Sequence, residues 1–260
     1  MPFSHSNGIR YYTFGIFPAV VVQAIFTRQG GVSPAPWHSL NVGGTVGDER
    51  SRVQENRTRA FSAVGRRLDS MFDVWQVHSV EAVFAEAPRP PEVEHRQADI
   101  IFTDRPAVTL YMRFADCVPL LLYDPKKSVV GIAHAGWLGT VRAAASTAVD
   151  SMTRRYGSKP GDILAAVGPS IGPDHYEVGP DVITQVERTF GTDAQALIQS
   201  RAAKTHLDLW EANRLQLERA GVSQIEVAGI CTACHLDDWY SHRAEKGKTG
   251  RFGALIALGA

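Results

Sequence analysis

The chain has 260 residues, with 27 basic and 27 acidic side chains, so its formal charge is zero, which argues against nucleic-acid binding driven by bulk charge. Charged residues make up 21% and hydrophobic residues 44%, an ordinary balance for a soluble globular protein, and the length suits one large domain or two closely fused halves, read as a single domain spanning 1–260. No apolar run reaches membrane-spanning length, the N-terminus lacks the order of a secretory signal, and three cysteines form no even disulfide framework, so a reducing cytoplasmic setting is expected.

Val20 to Thr27 reads as a strand. Arg28 to Asp48 follows, a Gly- and Pro-rich loop of a length that is often functional inside a domain. Asp48 to Leu68 predicts an amphipathic helix with Asp48 as N-cap and Val53, Ala60, Phe61 and Val64 facing inward. Phe72 to Val77 reads as a strand ending at His78, with Ala82 to Ala85 as its partner. Pro88, Pro90 and Pro91 predict an extended exposed loop. Ile100 to Thr103 and Val108 to Met112 are further strands.

The apolar runs Val118 to Tyr123 and Val129 to Ala133 flank the turn-like Asp124-Pro125-Lys126-Lys127 and predict a buried antiparallel hairpin. Beyond Gly136, apolar residues at Val141, Ala145, Ala148, Met152 and Tyr156 predict one long helix. Its positive end would point back at the hairpin. Ile163 to Val167 is a strand running into the turn-rich Gly168 to Gly179. Pro180 to Phe190 and Leu207 to Ala220 read as helices, the second closed by Gly221. Ile225 to Ile230 is a strand leading to Cys231. A polar loop, Ser241 to Gly253, precedes the last strand, Ala254 to Leu258. The mixture is α/β (α+β), with helices covering mixed sheets.

Three ligand-type residues fall at strand ends: His78, Cys117 and His134. The hairpin brings Cys117, just before its first strand, beside His134, just after its second. Two imidazoles, one thiolate and an open fourth position suit a catalytic zinc, and the same donors can take copper. Without a metal, Cys117 could be a nucleophile and His134 its base, with no orienting partner evident; each residue alone also reads as ordinary core. Asp116 would point to the opposite face from Cys117, as a structural acid. Cys231-Thr232-Ala233-Cys234-His235 is a lone CxxC without a second pair and reads as two buried or half-buried thiols. No ligands for a second copper centre are evident. Ser241 to Arg251 is basic and Gly-containing, either a solvated loop or an anion-binding flap.

Several ordered blocks carry a family likeness: FTRQGGVS from Phe26, SLNVG from Ser39, ENR from Glu55, QVH from Gln76, ADCVPLLLYDP from Ala115 and HAGW from His134. GPSIGPDHYEVG from Gly168, LDLWEANRLQL from Leu207 and TGR from Thr249 continue the series. The chain resembles the laccase-domain (YfiH-like, polyphenol-oxidase-like) family across nearly its whole length. That resemblance implies a layered α/β/β/α sandwich and a zinc ion on His78, Cys117 and His134. It implies phosphorolysis of adenosine, inosine and methylthioadenosine, with adenosine deamination beside it. The implied partners are a purine nucleoside and phosphate, with no nucleic acid or membrane. Substrate contacts then fall to Asn41, Arg57, Gln76, Asp116, Arg243 and Arg251. A copper-dependent polyphenol oxidoreductase is the competing description of the same pocket; a metal-free Cys/His hydrolase and a non-catalytic nucleoside-binding protein are the other rivals. The chain departs from the family pattern at Leu138 and Ala244, where arginines are expected. Both changes remove positive charge near the expected phosphate end, so adenosine turnover is expected to lean towards inosine.

Overall fold

Every residue from Val118 to Asp124 is buried, so this strand must be covered on both faces. Leu120 and Leu122 belong to a core shared with helices, whereas Leu121 and Tyr123 belong to a core shared with a second sheet. Side chains that alternate between faces thus set up a layered structure. A computed structural model of the chain describes residues 2–201 and 204–259. It opens with β1 (Phe3–Ser6), β2 (Ile9–Tyr12), β3 (Val21–Phe26) and α1 (Arg50–Ala63). Then come β4 (Met71–Phe72), β5 (Ala82–Phe84), β6 (Ile100–Thr103), β7 (Thr109–Phe114), β8 (Val118–Asp124) and β9 (Val129–Ala135). The remainder is α2 (Trp137–Val141), α3 (Ala144–Tyr156), β10 (Leu164–Val167), α4 (Pro180–Phe190), α5 (Ala194–Leu197), β11 (Ile198–Arg201), β12 (Lys204–Leu207), α6 (Leu209–Arg219), β13 (Gln224–Val227) and β14 (Phe252–Leu258).

One six-stranded sheet runs β1-β2-β3-β14-β7-β4 and the other β13-β10-β8-β9-β6-β5. Both are mixed: β4 with β7, β5 with β6 and β10 with β13 are parallel, while the other neighbours are antiparallel. The sheets face each other across Ile25, Leu110, Met112, Phe252 and Ile256 on one side and Ile101, Leu121 and Ile132 on the other. Helix α1 covers the outer face of the first sheet through Ala60 and Phe61 against Phe26, Tyr111 and Leu255. Helices α3, α4 and α6 cover the outer face of the second. This is the expected α/β/β/α sandwich.

Several local expectations are corrected. β1 and β2, which pair antiparallel across Asn7-Gly8 at φ 50 and 77, and the separate β11–β12 hairpin add strands to those expected. α1 starts at Arg50, and Asp48 does not cap it in the usual way; its carboxylate accepts from Ser33 Oγ at 2.5 Å and Asn41 Nδ2 at 2.9 Å, bracing the loop before the helix. Of the expected Phe72–Val77 strand only Phe72 joins a ladder, at the end of β4, while Trp75 makes an isolated bridge to Gln97, and Ala82–Phe84 pairs with β6 in the other sheet rather than with β4. The single helix expected after Gly136 is two: Ala143 takes left-handed φ 64 between α2 and α3. The carbonyl of Thr140 accepts from Gln216 Nε2 at 2.6 Å and from the Ala143 amide, which ends the first piece.

Candidate active site

The β8–β9 register sets Pro119 opposite His134 and Val118 opposite Ala135, which brings Cys117, at the start of β8, to the end of β9. His134 lies within β9 rather than beyond it. His78 arrives from the segment after β4 with a left-handed φ of 60. The ligand atoms of His78, Cys117 and His134 all lie within 4.8 Å of one another. Gly136 makes this convergence possible, because a Cβ there would stand 2.8 Å from Cys117 Sγ.

A residue passed over in the sequence holds two of the three in place. Asp99, fully buried just before β6, accepts from His134 Nδ1 at 2.8 Å through Oδ1. Its Oδ2 accepts from the amides of Val77 at 3.1 Å and Ser79 at 2.6 Å and from Ser79 Oγ at 2.9 Å. The amides on both sides of His78 are thereby fixed, which offsets its unfavourable backbone. With Nδ1 engaged, Nε2 of His134 is left to face the sulfur, the arrangement of a carboxylate-oriented ligand.

Burial raises the Cys117 thiol, but His134 and His78 beside it outweigh that and bring its pKa down to about 6. Burial likewise disfavours a charged His134, yet Cys117 and Asp99 lift it to about 9. Both shifts favour an imidazolium–thiolate pair, and a bound cation would take the place of the proton between them. Two nitrogens and one thiolate with an open side fit a catalytic metal.

These residues open into a cavity of about 1190 Å³ that Arg57, Gln76, Asp116, Arg243 and Arg251 also line. Arg57 donates to Val42 O at 2.9 and 3.1 Å. Arg243 donates to Glu177 O at 2.7 Å and lies 5.0 Å from the Tyr176 ring centroid. Arg251 donates to Gly250 O at 2.8 Å. All three are held by carbonyl oxygens rather than carboxylates, so their charge faces the cavity without an ion-pair partner among the described residues. Gln76 is tied to the Arg113 backbone in both directions, at 2.9 and 3.0 Å. Asp116, at φ 82, accepts from Thr232 Oγ1 and the Arg243 amide, each at 2.7 Å, and so braces the wall.

Asn41 is not brought to the cavity wall. It is fully buried, donating to Asp48 and accepting from the Arg251 amide at 2.9 Å, and thus shapes the loop that carries Arg251. Leu138 is half-buried on α2 and outside the lining, and Ala244 is exposed and also outside it. Arg142, one turn beyond Leu138, instead reaches His78 O at 3.2 Å.

Behind the cavity, the buried carboxylate of Asp73 meets Arg89 at 2.8 Å, Arg113 at 2.9 Å and His95 at 3.1 Å. Burial pushes this carboxyl up, but His95 and the two arginines outweigh it and hold it well below the usual range. Asp73→Asn is expected to destabilise the fold by about 3–5 kcal/mol, because Arg113 is left buried with its partner charge removed. Urea midpoints of the two proteins check this, and overlapping curves would show the cluster to be dispensable. A carboxyl with a depressed folded pKa contributes stability above its unfolded pKa and loses it as pH falls, so the gap between the two proteins should narrow in strong acid.

A family model described as multi-copper polyphenol oxidoreductase laccase matches residues 22–259. The chain belongs to this laccase-domain family. Relatives include a Deinococcus radiodurans protein named purine nucleoside phosphorylase, 43% identical over 92% of this chain and 89% of its own length. Bacillus subtilis YlmD, named likewise, is 38% identical over 92% and 88%. The crystal structure of Geobacillus stearothermophilus YlmD superposes with a TM-score of 0.93 at 33% identity, covering 100% of this chain and 99% of that one. Bacillus licheniformis YfiH, described as a hypothetical protein, gives 0.92 at 34% identity over 99% of both chains. Among the described residues of this family member, no helix is long and apolar enough to cross a membrane.

Proposed function

We propose that this chain is a zinc-dependent purine nucleoside phosphorylase that takes adenosine, inosine and methylthioadenosine and also deaminates adenosine. The observation that carries the reading is the juxtaposition of the His78–Cys117–His134 set with Arg57, Arg243 and Arg251, whose charges have no carboxylate partner in the wall. Guanidinium groups of that kind recognise phosphate. The named relatives point the same way. His78, Cys117 and His134 would hold the zinc, which supplies a Lewis acid and lowers the pKa of a coordinated water towards neutrality.

The chain's own groups do the rest. The three arginines hold phosphate so that an oxygen meets the ribose anomeric carbon; a C–O bond forms there as the C–N bond to the purine breaks, and the base leaves carrying the proton that the phosphate gives up. Tyr176 and Trp75 line the same cavity and offer aromatic surface to the purine. Asp116 has both oxygens occupied and serves to position the wall.

Metal-quantified protein incubated with adenosine or inosine, with and without phosphate, should give free base and ribose 1-phosphate only when phosphate is present. Inosine from adenosine should form in either case. Oxidation of phenols with copper bound, and no cleavage of nucleosides, would replace this reading with the polyphenol-oxidoreductase one. Arg243→Ala should raise the phosphate KM by about ten- to a hundredfold, the loss of one charge-assisted contact, and leave deamination nearly unchanged. Superimposed phosphate titrations would remove Arg243 from the phosphate site.

A further inference from the structure

The lone CxxC does not behave as two isolated thiols. β10 and β13 run parallel, and past their ends Ser170 still pairs with Cys231. The loop after β10 carries Asp174 and His175, and the segment after β13 carries Cys231 and Cys234, so four donors from two distant stretches meet at one sheet end. Their ligand atoms all lie within 4.8 Å of one another. His175 Nδ1 is 3.4 Å from Cys234 Sγ and 3.7 Å from Cys231 Sγ. Asp174 Oδ2 is 3.0 Å from Cys234 Sγ and 3.1 Å from His175 Nδ1.

We propose that Asp174, His175, Cys231 and Cys234 form a second metal site, closed and four-coordinate, that takes zinc as a structural ion. A tetrahedral zinc with ordinary Zn–S, Zn–N and Zn–O bonds has ligand-to-ligand edges of about 3.3–3.8 Å, close to the spacing of these atoms. Two sulfurs and an imidazole exclude magnesium and calcium, which take oxygen shells. Four protein donors leave no open position, which separates this set from the three-donor set in the cavity. The Gly172 amide donates to Cys231 Sγ at 3.2 Å, the kind of outer contact that steadies a thiolate ligand. Gly172 is required for that approach, since a Cβ there would meet Asp174 Oδ1 at 2.7 Å and Cys231 Cβ at 3.1 Å. Both cysteines are free, so no disulfide competes for the sulfurs.

Such an ion would clip together the two stretches that form one cavity wall. Thr232, next to Cys231, donates to Asp116, and the Ile171 amide donates to Asp116 O at 3.0 Å. Tyr176, next to His175, lies under Arg243. The site is thus a positioning device for the cavity and takes no part in chemistry.

The test removes the first set and asks whether metal remains. Cys117→Ala protein, purified without chelator and under reducing conditions, should carry one zinc per chain by plasma mass spectrometry. Adding Cys234→Ser should remove it; Cys234 is exposed, and serine keeps its shape, so the core is undisturbed. Cobalt substituted into the Cys117→Ala protein should show thiolate-to-metal charge-transfer absorption, and the double variant should lack it. Wild-type protein offers a check free of any substitution: cobalt titration should show a second binding step of two-thiolate intensity. Zinc-free Cys117→Ala protein with both remaining thiols reactive, or a Cys231–Cys234 disulfide in the reduced preparation, would overturn the proposal.

Discussion

Cys117→Ala is expected to lose its active-site zinc and its turnover of nucleosides while keeping its fold. The cavity set has one thiolate, and its two histidine neighbours favour that charged form, bringing its pKa to about 6. Replacing it leaves two imidazoles, one of them on an exposed segment. Loss of a direct ligand should exceed the roughly 10–100-fold attached to residues that merely orient ligands. The fold should survive because Cys117 precedes β8, whose ladder to β9 does not use its side chain, and the burial lost is on the order of 1 kcal/mol. Zinc affinity by chelator competition, nucleoside turnover and melting temperature together check the expectation. A variant with wild-type affinity and turnover would make Cys117 a packing residue and leave the cavity without its metal set.

The hairpin and its two reactive ends were legible because Val118 to Tyr123 and Val129 to Ala133 are short apolar runs on either side of a turn, which admit few structures. His78 was legible as a residue type, but the strand expected to deliver it was not there. Its position depends on two backbone amides held by Asp99, a contact with no local pattern. The same limit hid Asp99 itself, which in sequence is one acid before an apolar run. It also hid the second donor set, since Asp174 and His175 meet the CxxC only through the parallel pairing of β10 and β13. The break at Ala143 was invisible because apolar periodicity continues straight through it, and only the Gln216 amide on Thr140 O marks it. Asn41 shows the converse. Its motif pointed to substrate, whereas its side chain is spent on Asp48 and Arg251.

Asp99→Asn is expected to weaken zinc binding by about 10–100-fold without unfolding the protein. The two side chains share a shape, but Asp99 accepts on both oxygens: from His134 Nδ1 on one, and from the Val77 and Ser79 amides on the other. Asparagine has one accepting oxygen. If that oxygen faces His134, its amide group points two hydrogens at two N–H donors, and the segment carrying His78 is pushed away. If the oxygen faces the amides instead, the NH2 group confronts His134 Nδ1, which must then accept. The imidazole proton moves to Nε2, the atom left to face Cys117, and a protonated nitrogen cannot ligate a metal. Either orientation disfavours one ligand's binding position without removing the ligand. The substitution also removes the negative charge that helps to lift His134, so the metal-free histidine should titrate at lower pH, which NMR of the imidazole can follow. Excess zinc should restore part of the turnover, a rescue that a purely structural role for Asp99 would not produce. Unchanged zinc affinity together with an unchanged His134 titration would show that Asp99 only fills space beneath the site.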